Sequence, residues 1–243
     1  MKVGYSTDIG NVRQINQDSF FASDFHASFP LFIVADGMGG HKAGEIASNL
    51  AVNKVKELFE QEHYNFKDVD NIVKTIEHSV RETNKYICEK SKQDSNLLGM
   101  GTTLTLGYLF KNIFVIGHVG DSRAYLIRGN SITQLTEDHS LVRQLVAEGK
   151  ITESEAENHP QKNIITRAIG TDYDVEVDII KVVVHPNDII FICSDGLTNM
   201  VKKDKLLDIF TSIKDIQKAC DECVRIAKNS GGYDNITVVG IIF

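Results

Sequence analysis

Aspartate closes one apolar run after another in this chain. The pattern reads Ile33-Val34-Ala35-Asp36-Gly37, Val119-Gly120-Asp121-Ser122 and Ile192-Cys193-Ser194-Asp195-Gly196. A fourth aspartate stands in Gly231-Gly232-Tyr233-Asp234-Asn235, just ahead of a last apolar run, and Asn16-Gln17-Asp18 adds an early one. A carboxylate at a strand end is rigidly held, and a glycine beside it lets a metal approach the backbone carbonyl. Any single Asp-Gly pair is also an ordinary turn. Several of them, from distant parts of the chain and each closing an apolar run, favour a convergent site. Converging carboxylates cannot all stay ionised without cations between them. All-oxygen ligands suit Mg²⁺ or Mn²⁺. Two such ions about 3.5–4 Å apart make a centre for phosphoryl displacement, where water is activated near neutral pH and phosphate charge is cancelled.

Other phosphate chemistries fail on spacing. A cysteine phosphatase needs arginine six positions after its cysteine, but those positions hold Asp94, Asn199, Ile226 and Asn229. The Asp-x-Asp-Gly-Thr run of an aspartyl-phosphate enzyme is absent, as is the Gly-rich Lys-Ser/Thr loop of P-loop nucleotide hydrolysis. Cys220-Asp221-Glu222-Cys223 has the spacing of zinc or redox chemistry. It has no second cysteine pair, and Ile216, Cys220, Cys223, Val224 and Ala227 form one apolar stripe at helical spacing. Buried structural thiols are the reading preferred here.

These residues need a scaffold, and 243 residues suffice for one ordinary domain spanning 1–243. Hydrophobic residues at 42%, charged residues at 24% and a mean hydropathy of -0.14 describe a globular chain. The net charge of -7 and pI near 5.6 argue against a nucleic-acid backbone as main partner. No apolar run approaches the roughly 20 residues of a membrane span. The start, Met1-Lys2-Val3-Gly4-Tyr5-Ser6, lacks a signal-like stretch, so a cytoplasmic location is expected. β-Branched runs mark strands at Leu31–Ala35, Thr103–Leu109, Ile113–Val119, Ala124–Arg128, Ile179–Val184, Ile189–Ile192 and Ile236–Ile242. Helical spacing runs over Gly44–Gln61, from Val69 to about Lys92, and over Asp215–Asn229 with a stop at Gly231-Gly232. The order is not a regular β-α-β alternation, which disfavours a doubly wound parallel sheet and favours hairpin-paired strands with helices outside. Residues 140–170 differ in texture, with a short helix over Leu141–Glu148, and read as an insertion packed on the main body.

With these motifs in order, the chain resembles the metal-dependent serine/threonine protein phosphatases of the PPM, or 2C, type, especially compact bacterial members. The blocks carrying the resemblance run from Gly10-Asn11-Val12-Arg13-Gln14-Ile15-Asn16-Gln17-Asp18-Ser19 to Gly231-Gly232-Tyr233-Asp234-Asn235-Ile236-Thr237. Between them lie Ala35-Asp36-Gly37-Met38-Gly39-Gly40-His41, Met100-Gly101-Thr102-Thr103, Gly120-Asp121-Ser122-Arg123-Ala124-Tyr125, Thr136-Glu137-Asp138-His139-Ser140 and Cys193-Ser194-Asp195-Gly196-Leu197. The resemblance implies an α+β fold of two packed antiparallel sheets flanked by helix pairs, with a small flap at about 140–170. It implies two Mn²⁺ or Mg²⁺ ions, bridged by Asp36, with the Gly37 carbonyl on one and Asp195 and Asp234 on the other. Asp18 would act through waters, and Asp121, shared with Asp195, would serve a third, weaker ion. Arg13 matches the arginine that grips the substrate phosphate, a role that its planar fork suits.

Two positions depart from the animal pattern. Met38 stands where a histidine serves there as proposed general acid, which leaves leaving-group protonation without an assigned side chain. His41 is close in sequence and reads equally as a structural histidine. Gln17 replaces a common Glu, keeping a hydrogen bond to bound water but bringing no charge. The expected activity is hydrolysis of phosphoserine and phosphothreonine by a metal-bridging hydroxide, in line and without a covalent intermediate. The implied partners are phosphorylated proteins and a cognate serine/threonine kinase, and the chain is taken as a monomer with no nucleic-acid or membrane partner. Rival readings are a catalytically silent phosphoprotein-binding relative and a phosphatase acting on a partner-switching regulator.

Overall fold

The computed structural model describes residues 1–23, 29–39 and 43–243. His41 lies outside the described residues. The chain opens with β1 (Lys2–Asp8), β2 (Asp18–Ala22) and β3 (Leu31–Met38), followed by α1 (Ala43–Glu62) and α2 (Val69–Gln93). Five strands follow: β4 (Gly101–Thr102), β5 (Leu104–Phe110), β6 (Ile113–Val119), β7 (Arg123–Arg128) and β8 (Ser131–Gln134). Two short helices, α3 (Leu141–Ala147) and α4 (Glu153–Glu157), lead to β9 (Asp178–Val183) and β10 (Ile189–Cys193). The chain closes with α5 (Asp195–Thr198), α6 (Lys203–Ser212), α7 (Ile216–Asn229) and β11 (Ile236–Ile242).

All strand pairs are antiparallel and form two sheets, β1-β11-β10-β7-β8 and β2-β3-β5-β6-β9, with β4 pairing on β3. The sheets face one another and helices cover their outer faces, the α+β sandwich expected from the resemblance. The alternation along β3 shows how the layers form. Leu31, Ile33 and Ala35 pack with α1 and α2, whereas Phe32 and Val34 point into the inter-sheet core with Phe114, Ile116, Ile190, Ile192, Val239 and Ile241. Both faces of such a strand are dry, so its sequence is continuously apolar. On the other outer face, Ile236 and Val238 of β11 meet Ile216, Cys220 and Cys223 of α7. Both cysteines are fully buried and free, and burial pushes their thiols up, which fits packing rather than metal or redox duty.

Local chemistry sets the helix limits. The Asp68 carboxylate accepts the Asn71 amide at the start of α2, and Asp215 accepts the amides of Gln217 and Lys218 at the start of α7. Seven strands and α-helices lie beyond those read from periodicity: β1, β2, β4, β8, α4, α5 and α6. β1, β2 and β8 carry polar or half-exposed residues at sheet edges or next to them, so no apolar run announces them. In α6, Leu206, Ile209 and Phe210 supply the buried stripe. Residues 140–170 form an excursion between β8 and β9: Ser140 caps α3, and Thr152 with Glu155 makes a capping box on α4. Among the described residues, no helix is long and apolar enough to cross a membrane.

Candidate active site

Strand register brings the first two aspartates together. Asp18 opposes Asp36 directly across the β2–β3 pair. The Asp36 backbone is pinned on both sides: its amide donates to Thr103 Oγ1 at 2.9 Å, and its carbonyl accepts from Thr103 N and Thr102 Oγ1, each at 2.9 Å. The next residue must be glycine for reasons of space, because a Cβ on Gly37 would collide with the Gly44 carbonyl at the start of α1. Asp195 begins α5 directly after β10, and Asn199 Nδ2 donates to its Oδ2 at 2.9 Å. Asp234 precedes β11 and accepts the Asn235 amide at 2.8 Å. Asn235 then ties three chain segments together. Its Oδ1 accepts the Gln17 amide at 2.8 Å, and its Nδ2 donates to the carbonyls of Ile9 and Ile15, each at 3.0 Å.

Asp36, Gly37, Asp121, Asp195 and Asp234 all line one cavity of about 430 Å³, with Arg13 and Gln17. Met38 of β3, Tyr233, Met200 and Lys162 with Asn163 of the 140–170 excursion complete much of its wall. Asp18 is not part of that wall. It lies behind Asp36, where Ser194 Oγ donates to its Oδ2 at 2.7 Å, and it borders a separate cavity of about 270 Å³ with Thr7, Ser19 and Asn49. Arg13 donates through Nη2 to Asp234 Oδ2 at 2.8 Å, half-exposed at the cavity lip. Beside Asp121, the Arg123 fork holds Asp138 through Nε at 2.9 Å and Nη2 at 2.6 Å.

Burial and mutual repulsion dominate the electrostatics. Burial first, then the charges of Asp18, Asp195, Asp121 and Asp234, push the Asp36 carboxyl well above the usual carboxylate range. Burial pushes Asp18 up to about 7 against its Ser194 and Thr237 hydrogen bonds. Asp121 rises to about 8 through burial, then through Asp195 and Asp138, with Arg123 opposing. Asp195 is raised by burial and by Asp234. Three of these groups, Asp18, Asp121 and Asp195, each bury an Oδ1 atom that has no hydrogen-bond partner among the described residues. Unpaired buried carboxylate oxygens facing like charge are the donor set that a hard divalent cation satisfies. The residues therefore fit the cations that the resemblance implies. Among the described residues, however, no three Asp, Glu, His or Cys side chains close into a cage by themselves. A cage there would need further oxygen ligands, such as the Gly37 carbonyl and water.

The fold and this cavity present a carboxylate-walled site where strand ends of the two sheets meet. A family model described as Protein phosphatase 2C matches residues 11–228. The serine/threonine phosphatase stp of Listeria welshimeri is 40% identical over 239 residues, covering 98% of this chain and 94% of that protein. The crystal structure of the serine/threonine phosphatase Stp1 from Staphylococcus aureus matches at a TM-score of 0.93 and 33% identity, covering 100% of this chain and 94% of that one. The catalytic domain of the serine/threonine protein phosphatase PstP, crystallised with two manganese ions, matches at a TM-score of 0.86 and 34% identity, covering 98% and 96% of the two chains. The chain belongs to the protein phosphatase 2C family.

Of the residues named from sequence, the structure gathers Arg13, Asp36, Gly37, Asp121, Asp195 and Asp234 around one cavity and sets Asp18 behind it. Sequence reasoning assigned no part to Thr103, Asn199 or Asn235. Thr103 and Asn235 sit inside motif blocks, which was the available signal. Thr103 and Asn235 are buried polar residues whose hydrogen-bond partners, Asp36 for Thr103 and Ile9, Ile15 and Gln17 for Asn235, lie far away in the chain.

Proposed function

We propose that this protein hydrolyses phosphoserine and phosphothreonine in phosphorylated proteins, using two Mn²⁺ or Mg²⁺ ions. Asp36 and the Gly37 carbonyl would hold one ion, Asp36 with Asp195 and Asp234 the other, and Asp121 with Asp195 a third and weaker one, with Asp18 contributing through waters. When bound, such ions acidify coordinated water and neutralise phosphate oxygens. The chain's own residues do the rest. Arg13, at the lip, offers a planar fork to the phosphate, and its single bond to Asp234 keeps that fork aimed over the cavity. Thr102 and Thr103 fix the Asp36 backbone, so its carboxylate is preorganised. Met38, Met200 and Tyr233 give the mouth an apolar rim against which a polypeptide can lie. Residues 140–170 act as a flap beside the cavity, a cognate serine/threonine kinase supplies the phosphoproteins, and residues 1–243 work as one domain and a monomer.

The observation that carries this reading is the convergence of Asp36, Asp121, Asp195 and Asp234 on one cavity with Arg13 at its lip. The test is hydrolysis of a phosphothreonine peptide beside a phosphotyrosine one, before and after chelation. Turnover of the first, lost on chelation and restored by Mn²⁺, supports the proposal. Turnover that survives exhaustive chelation, or a preference for phosphotyrosine, overturns it.

A further inference from the structure

The block Thr136-Glu137-Asp138-His139-Ser140 has so far been given no part in the site. His139 is 9% exposed and lies directly against the turn that carries Asp121. It grips both backbone polar groups of one residue, in the two peptide units that flank Gly120: its backbone amide donates to the Gly120 carbonyl at 2.8 Å, and its ring Nδ1 accepts the Gly120 amide at 3.0 Å. Gly120 has φ +112, and a Cβ there would come within 2.6 Å of the Thr103 side chain, so the turn cannot be rebuilt with another residue. Thr103 is also the residue that holds the Asp36 amide, and its hydroxyl meets Ser122 Oγ at 2.7 Å. Gly120 packs against Thr103 and the Ser122 side chain bonds it, so both neighbours of Asp121 rest on the residue that supports Asp36.

The partners assign the tautomer. With Nδ1 accepting from Gly120, Nε2 carries the hydrogen and donates to Asp178 Oδ2 at 3.1 Å. Arg167 Nη1, 3.0 Å from that nitrogen, donates to Asp178 Oδ1 at 2.7 Å. Burial holds the imidazole below its usual value against the Asp178 bond. Both stems of the 140–170 excursion also meet at this residue. Ser140 follows it and bridges to Ile165, and the Thr166 amide donates to the His139 carbonyl at 2.8 Å. A histidine that merely filled space would not commit both ring nitrogens, its amide and its carbonyl to one turn and one excursion.

We propose that His139 is a positioning residue that fixes the Asp121 carboxylate through the Gly120 peptide and ties it to the base of the 140–170 segment. The part concerning cations rests on the reading of Asp121 as a ligand of the weaker ion. The part concerning geometry does not.

The test uses the full chain with three substitutions. His139→Asn places an amide oxygen where Nδ1 accepts, His139→Gln reaches towards Asp178 but abandons Gly120, and His139→Leu keeps neither. The first readout is hydrogen exchange of the Gly120 amide by NMR, in chelated and Mg²⁺-loaded protein. Protection should fall in the Leu and Gln variants and persist in the Asn variant, in both states. The second is an Mn²⁺ isotherm. The weak class of ions should lose affinity by about tenfold or more in the Leu and Gln variants, as is usual when a ligand's support is removed. The tighter ions should bind as in wild type, and the Asn variant should restore the weak class. Retained Gly120 protection in the Leu or Gln variant overturns the proposal, as does loss of all ion classes together in step with thermal stability. Should the Leu variant not fold, the Asn and Gln pair decides alone. A wild-type isotherm without a weak class, beside the expected exchange pattern, refutes the ligand role of Asp121 and leaves the positioning role standing.

Discussion

Neutralising Asp121 should make the chelated protein more stable at high pH while impairing it as an enzyme. Asp121 is 8% exposed, its Oδ1 atom lacks a partner, and its carboxyl is raised from 3.8 to about 8 by burial and by Asp195 and Asp138. The folded state thus holds this proton to higher pH than the unfolded chain does. The carboxyl costs nothing below 3.8, an increasing amount as pH rises from there, and its full amount above about 8. A difference of that size has a ceiling of about 6 kcal/mol at 1.36 kcal/mol per pH unit. Part is offset because the amide of Asn still lacks a partner there, at about 1–3 kcal/mol. A net gain of about 3–5 kcal/mol remains. Urea unfolding of chelated Asp121→Asn and wild type at pH 9 should show that gain as a shifted midpoint with unchanged slope. Near pH 5 the gain should vanish, because the carboxyl then costs only about 1.6 kcal/mol, which the unpartnered amide offsets. Equal stability at both pH values, or a loss at pH 9, would refute the claim that folding holds this carboxylate against its neighbours.

Arg13→Ala should mainly raise KM for a phosphopeptide, because the phosphate charge it meets is present in the ground state as well as in the transition state. Steady-state kinetics check this, and a collapsed kcat at unchanged KM would show that the role is misassigned. Asn235→Ala removes three hydrogen bonds that join the residues before β2 to the start of β11. At about 1 kcal/mol each, chemical denaturation should report a loss of about 3 kcal/mol.

Central strands were legible in the sequence and three of the four edge strands were not, β9 excepted because its Ile179, Ile180, Val182 and Val183 form an apolar run, for one physical reason. β3, β5, β6, β10 and β11 bury both faces, so each is a run of apolar residues that periodicity cannot miss. β1 shows polar Ser6, Thr7 and Asp8 and an exposed Tyr5, because only part of an edge strand needs to be dry. The carboxylates were legible as strand-end aspartates, but their meeting is a matter of register and topology. Nothing local says that Asp18 faces Asp36, or that Arg13 reaches Asp234 across 221 positions. Supporting residues were hidden for the same reason. Thr103, Asn235 and His139 act through backbone groups of distant segments, and a hydrogen bond to a backbone atom leaves no mark on its partner's sequence.

Hydrolysis is expected to depend on cations held by this buried ring of carboxylates, and the charges of Asp18, Asp195, Asp121 and Asp234 all bear on Asp36. The direct measurement is bound Mn²⁺ per chain together with kcat on a phosphothreonine peptide, for Asp36→Asn beside wild type at saturating Mn²⁺. Asp195→Asn and Asp234→Asn, each serving only one ion of the tight pair, should prove nearly as damaging. The account predicts that Asp36→Asn loses the pair of tightly bound ions and that turnover falls by several orders of magnitude. An Asp36→Asn protein that keeps both ions, or that turns over the peptide at close to the wild-type rate, would contradict it.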